Sequence, residues 1–540
     1  GEESRKRDSF LYMQCTFLKM NWLPENCFSA QKILHILFFS HRSFNGQSFR
    51  ATIPTLQLSL RQRGNGIRPF CFRTVCAVTS QPIFLHKRIC ISHFRVIIKS
   101  WNYVAACAAG KEEIMKSQST LMTEGSIARK LTAFAIPLFL GNLFQQLYNT
   151  ADSLIVGNFL GSEALAAVSS SGSLIFLMVG FFNGISIGAG VVIARYYGAR
   201  QIDKVQKAIH TTVAFGLIAG VLLTVIGLLL APVLLVWMGT PENVLPNSTT
   251  YFRIYFCGSI AFVLYNVFVG ILQSVGDSTH PLIYLIISSV VNVVLDLLFV
   301  GGFHMGVGSA ALATIISQFV SAILCLIQLL KSPEDYRLHP EKIRFHGFYL
   351  KQIIQNGLPS GFQNSIISVA NVVVQANINS FGALAMAGCG AYSKIEGFGF
   401  LPITCFAMSL TTFISQNLGA GQYERAKKGA RFGILCSVIM AELVGLAINL
   451  AAPLLIAAFN SDPQVVSYGV AQARTVTLFY FLLSFSHCVA GILRGAGRAA
   501  VPMLVMLCCW CVIRISYITV AVRFIPSIRV IFWAYPITWC

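Results

Sequence analysis

The sequence predicts an all-α membrane protein that crosses the bilayer many times, built from two related halves. Composition is the first ground. Of 540 residues, 55% are hydrophobic and only 11% charged, against about 25% charged in an average soluble protein. So few charges could not clothe a soluble surface of this size, and the apolar excess must meet lipid. The second ground is run length: apolar stretches of about 20 residues, enough for a helix to cross the hydrocarbon core, recur along the chain. The third is an internal repeat at a nearly constant offset.

The net charge of +20 is unevenly placed. Residues 1–115 hold sixteen Lys and Arg against six Asp and Glu, which is half of the excess. This segment has no sustained helical period and no long apolar run. A basic arm of this kind suits nucleic acid or a membrane surface. The reading preferred here is sequence upstream of a start at Met115 or Met122, outside the folded unit. A secretory signal does not fit, because no short apolar core with a small-residue cleavage site stands at the beginning.

Apolar runs broken by polar or Gly/Pro punctuation place spans near 132–156, 164–190, 208–237, 250–273, 281–301 and 308–330. Five more follow near 353–378, 386–411, 431–458, 469–493 and 500–522. A twelfth begins near Ile528 and reaches only Cys540, so a truncated last helix is expected. Six spans then fall in 122–330 and five plus the truncated sixth in 353–540, with 331–352 as the linker.

The repeat is visible residue by residue. Leu165-Ala166 through Tyr197-Gly198-Ala199-Arg200-Gln201 parallels Met386-Ala387 through Leu418-Gly419-Ala420-Gly421-Gln422, 221 positions later. The same offset joins Pro232 to Pro453, Arg253 to Arg474 and Gly276 to Gly497. Halves of six spans each share one orientation, so their pseudo-two-fold axis runs along the membrane normal, as in known transporters. Seventeen Lys and Arg, from Arg129 to the Arg494 and Arg498 that follow the tenth span, fall on one side, against four on the other. By the positive-inside rule the folded unit's N-terminus and the linker are expected in the cytoplasm.

No GxxxxGK[ST] loop is present, which removes the usual phosphate cradle of an ATP-driven pump. Gly184-Ile185-Ser186-Ile187-Gly188 matches GxSxG, but a nucleophile elbow needs a strand, a turn and a helix. Inside an apolar span these small residues read as helix packing. The sixteen cysteines are scattered without metal or redox spacing and read as small buried hydrophobes. Asn247-Ser248-Thr249 fits either a glycosylation acceptor or a helix cap.

The acids within the spans carry more information. A carboxylate at membrane depth is costly and marks a functional candidate by default. Asp152 lies in the first span. Asp296 follows Asn292 by four residues in the fifth, so both sit on one helical face. Such a group can exchange a proton near neutral pH, or the oxygens of Asp152, Asn292 and Asp296 can hold Na⁺. A solvated position near a helix end is the plainer alternative for Asp152. Glu396 stands beside Lys394, but an i,i+2 pair does not share a face. Glu442 has no evident partner.

With these residues on the page, the sequence resembles the multidrug and toxic compound extrusion (MATE) transporters. Pro137, Gly141-Asn142-Leu143-Phe144-Gln145-Gln146, Asp152 and Val156-Gly157 resemble the family's first helix. Asn292-Val293-Val294-Leu295-Asp296 resembles its fifth-helix motif, and Gly306 through Thr314 its sixth. The resemblance covers about 122–540. It implies a twelve-helix fold with two six-helix bundles around a central cavity, and export of amphipathic or cationic drug-like compounds in exchange for H⁺ or Na⁺. It places Asp152, Asn292, Asp296 and Thr314 at an ion-coupling site, and nominates Pro137, Gln145, Asn149, Asn266 and Glu396 for the substrate cavity and its gating. The spans 353–378 and 469–493 lack acids, which favours the DNA-damage-inducible F type over the NorM-like branch. A monomer in the cell inner membrane is expected, with no nucleic-acid partner and no cofactor beyond the coupling ion.

A flippase for lipid-linked oligosaccharides, from the same superfamily, is the alternative. It should carry an Arg-rich cavity to hold pyrophosphate, and Arg514 is the deepest Arg in the spans. A channel would want a repeated ring, yet Asp152 is matched by Val374 and Asp296 by Tyr517. An enzyme is not expected, since no nucleophile–base pair or metal-ligand cluster is visible.

Overall fold

The computed structural model describes residues 121–540, except at 161, 238–244, 304, 334 and 461. The reading of residues 1–115 therefore lies outside the described residues. Those described form a helical array without strands. The helices are α1 (Ile127–Leu160), α2 (Ser162–Gly198), α3 (Ile202–Trp237) and α4, whose segments Leu245–Cys257 and Ser259–Ser274 meet at 49°. Next come α5 (Thr279–Asp296, continued by a π-helical turn Leu297–Gly302), α6 (Gly308–Lys331), α7 (Gly347–Asn379), α8 (Ala383–Gly419) and α9 (Tyr423–Ala457). The second half ends with α10 (Pro463–Val476 and Tyr480–Gly495, joined by a 3-10 turn), α11 (Ala500–Met506 and Arg514–Phe524 around a π-helical turn) and α12 (Ile528–Trp539).

Eight of these helices are long and apolar enough to cross a membrane, or nine when the bent α4 counts as one span. The lipid-facing surface follows the repeat. On α3, Ile218, Leu222, Val225 and Leu229 are exposed at helical spacing, and on α9 so are Ile439, Leu443, Leu446 and Leu450, each 221 positions on. Leu229 is 72% and Leu450 75% exposed. Only a hydrocarbon neighbour makes such a stripe stable, so the protein is a polytopic all-α membrane protein.

The helix ends also keep the register, since α2 and α8 begin and end 221 residues apart. Arg200 has φ 54° where its counterpart Gly421 has φ 72°, and Gly276 and Gly497 share the same left-handed turn. Glycine suits that conformation because it has no Cβ to clash, while Arg200 adopts it at a steric cost.

The halves interlock through α2 against α7, its counterpart α8 against α1, and α2 against α8. Small residues allow the close approach. A Cβ on Gly184 would overlap the backbone at Gly361, and one on Gly188 would overlap Gly357. This is the packing role expected of the GxSxG stretch. The base of α1 packs into the second half, with Leu131, Phe134 and Leu138 against Cys405, Leu410 and Phe413. The base of α7 does the converse, placing Tyr349 and Ile353 in the core of α2, α3 and α4.

Candidate functional site

Two sites take shape, one of acids within the first half and one cavity between the halves. Helix α1 packs against α5 and so brings Asp152 to the face that carries Asn292 and Asp296. The two carboxyl groups lie within hydrogen-bonding reach of each other. Asp296 is fully buried and Asn292 nearly so. Asn292 Nδ2 lies 3.5 Å from Thr314 Oγ1, and that hydroxyl donates to Ala310 O at 3.0 Å. The four residues nominated for ion coupling are thus neighbours. Both oxygens of Asp296, Oδ1 of Asp152 and Oδ1 of Asn292 are buried and, among the described residues, accept no hydrogen bond from a protein donor. Two carboxylates this close in apolar surroundings repel unless a proton or a cation sits between them.

The cavity has a volume of about 390 Å³, within the roughly 300–1,000 Å³ range of small-molecule sites. Its wall comes from both halves and follows the 221 offset: Asn183 and Thr404, Ser186 and Ala407, Asn266 and His487, Gln273 and Arg494 all line it. Of the residues nominated from sequence, Pro137, Gln145 and Asn266 are in this wall, whereas Asn149 and Glu396 lie outside it. Helix α1 joins the two sites. Tyr148, on the same helix, neighbours both Gln145 and Asp152. Gln145 and Asp152 are seven residues apart, two turns along one face, or about 10 Å.

Two positions differ from the sequence expectation, and the structure supplies partners at a third. Arg494 was placed in the loop after the tenth span, but it is the next-to-last residue of α10, 9% exposed and in the cavity wall. The signal was available: Arg494 follows His487 by seven residues and corresponds to Gln273, an apolar-span position. Glu442 does have a partner, since the Phe481 backbone N–H donates to its Oε2 at 3.3 Å. This bond reaches the first turn of the Tyr480–Gly495 segment, where a negative charge offsets the helix dipole. Arg514, the deepest Arg in the spans, donates from Nε and Nη2 to Thr538 Oγ1 at 3.0 and 2.6 Å. Its guanidinium lies 4.5 Å from the Trp510 ring centroid and 4.9 Å from that of Tyr535. Glu396 lies near Tyr392 and Arg514.

At the end bearing the basic loops the halves are bolted together. Gln416 accepts from Met122 N–H at 2.8 Å and donates to Ser274 O at 2.7 Å. Ser415 donates to Val191 O at 2.7 Å, and Arg195 to Ala496 O at 2.8 Å. Arg425 donates to the carbonyls of Met122, Glu124 and Gly125.

A pseudo-symmetric bundle with an inter-half cavity and a buried acid site defines a polytopic membrane transporter. The MatE family profile matches residues 137–298 and again 359–520, and the chain belongs to that family. It is 28% identical over 405 residues to the probable multidrug resistance protein YoeA of Bacillus subtilis (strain 168), covering 72% of this chain and 86% of the relative. It is 25% identical over 401 residues to an FAD transporter of Shewanella oneidensis, covering 73% and 88%. A solved MOP superfamily transporter from Pyrococcus furiosus superposes with a TM-score of 0.74 at 24% identity, covering 78% of this chain and 95% of that one.

Proposed function

We propose that this transporter is a secondary active antiporter that exports amphipathic small molecules while H⁺ or Na⁺ enters through the site of Asp152, Asn292, Asp296 and Thr314. The observation that carries the reading is the facing of Asp152 and Asp296 with buried oxygens that no donor among the described residues reaches. A proton between the carboxyls, or Na⁺ among the four unsatisfied oxygens, would relieve their repulsion. Relief on one side of the membrane and release on the other is the differential binding that coupling requires. The link from Asp152 through Tyr148 to Gln145 gives the ion a route to influence the cavity. The multidrug resistance name of the Bacillus relative agrees with drug-like cargo. We place the protein in the inner membrane with the basic end cytoplasmic, so the bolted state described here faces outward.

The flippase alternative gains one observation, Arg494 in the cavity wall. A single Arg and about 390 Å³ suit a compact cargo better than a lipid-linked oligosaccharide. The test is export from proteoliposomes under an imposed pH gradient and, separately, a Na⁺ gradient. One of the two should drive uphill transport. Transport indifferent to both would refute antiport.

A further inference from the structure

The cavity wall is symmetric in position but not in charge. In the first half Asn266 and Gln273 present amides seven residues apart on one face of α4. In the second half the equivalent positions are His487 and Arg494, an imidazole and a guanidinium. Among the described residues no Asp or Glu lines the cavity. Arg494 is 9% exposed, donates from Nη1 to Gln363 Oε1 at 3.2 Å, and reaches no acceptor with Nε. Among the described residues no carboxylate pairs with it. Nε2 of His487 is likewise buried without a partner. A permanently charged guanidinium is expensive to bury without a counter-ion, and its fork of donors matches a carboxylate or phosphate.

We infer that the cavity binds an amphipathic organic anion, whose carboxylate or phosphate head pairs with Arg494 while its apolar body lies along Ile187, Val269 and Met408. The inference rests on the antiport reading only in taking this cavity as the cargo site. The cargo would bring the missing negative charge, and the Asn and Gln amides opposite can accept or donate to its remaining polar atoms. A cationic compound would meet the Arg494 charge at short range with no acid in the wall to offset it.

Equilibrium binding to the purified full-length protein tests this with probes that share the naphthalene ring and differ in the head group and its short linker: 1-naphthylacetate, 1-naphthyl phosphate, 1-naphthylacetamide and 1-naphthylethylammonium. The wild-type protein should bind at least one anion on the order of tenfold or more tighter than the neutral amide, as expected for a charge-assisted pair, and the ammonium most weakly. The tighter of the two anions identifies the head group. Arg494→Gln should bring anion and amide affinities within about twofold of each other, and its melting in detergent checks that the variant is folded. Arg494→Lys should keep part of the preference. Wild-type protein that binds the ammonium as tightly as the anions overturns the inference, whether or not Arg494→Gln folds. So does an Arg494→Gln protein that keeps the full anion preference. Anion preference without gradient-driven export would refute antiport alone, and export without anion preference would refute this inference alone.

Discussion

Gly198 and Gly419, equivalent residues of the two halves, cross at the basic end of the molecule, each against the backbone of the other's helix. A Cβ on Gly198 would overlap Gln416, and one on Gly419 would overlap Arg195. The neighbouring bonds from Ser415 and Gln416 depend on this approach.

Closure of the basic end should therefore be sensitive to side-chain volume at these two positions. Gly419→Leu cannot form the crossing without moving backbone, an overpacking cost of about 1–3 kcal/mol or more. Hydrogen exchange across 191–198 and 411–419 should accelerate, with transport reduced on the order of tenfold. Exchange identical to wild type would show that the crossing does not hold this state.

Asp152→Asn and Asp296→Asn should both abolish transport driven by the coupling ion. Each removes one of two facing carboxyls, and an amide can neither titrate nor attract a cation strongly. Asp296 is the more enclosed, with both oxygens unpaired, so its variant should be at least as impaired as that of Asp152. If the ion is H⁺, raising the external pH should slow wild-type export, because protonation of the pair from outside drives the cycle. Equilibrium cargo binding should survive in both variants. Uphill export by Asp152→Asn with an unchanged pH response would move the coupling site elsewhere.

Much of this architecture was legible because lipid imposes a strict rule on sequence. The apolar runs marked the spans, and the 221 offset marked helices that begin and end in register. The helices nevertheless extend past the runs, α1 covering Ile127–Leu160 where the run gave 132–156, because hydropathy sees only the lipid-crossing part. Helix α10 begins at Pro463, before the apolar run at 469, and the Asp462 carboxylate caps it by accepting from Gln464 and Val465 N–H at 2.8 and 3.4 Å. The cost of a carboxylate at membrane depth singled out Asp152 and Asp296, and the family resemblance placed them at one site. Arg494 was missed because a cation at a helix end reads as a loop charge. The partner of Glu442 lies at a break within α10, and no local pattern announces a 3-10 turn. The π-helical turns in α5 and α11, Leu297–Gly302 and Leu507–Ile513, do not follow the offset.

Glu442 should be dispensable for coupling. Its one bond, to Phe481 N–H at 3.3 Å, is retained in part by a Gln oxygen. Glu442→Gln loses only the charge at the helix start, about 0.3–1 kcal/mol. Thermal stability in detergent should drop slightly and gradient-driven export should match wild type. A collapse of export would assign Glu442 a part in coupling.

The attachment of α12 should rest on Arg514 and Thr538. The guanidinium is fully buried on α11, held by one hydroxyl of α12 and two aromatic faces, Trp510 and Tyr535. Thr538→Val removes the only acceptor that Nε and Nη2 share, at a cost of about 1–3 kcal/mol for hydrogen bonds to a charged group. Arg514→Met removes the same bonds and both cation–π contacts, each about 0.5–2 kcal/mol, and leaves Glu396 without its cationic neighbour. It should therefore be the worse variant, while Thr538→Ser, which keeps the hydroxyl, should melt close to wild type. Melting in detergent ranks the three, and hydrogen exchange in 528–539 shows whether α12 is the part released. If Thr538→Ser is as unstable as Thr538→Val, the methyl group rather than the hydroxyl holds the helix. If both Thr538→Val and Arg514→Met melt like wild type, α12 is held by the apolar contacts of Ile531 and Phe532 alone.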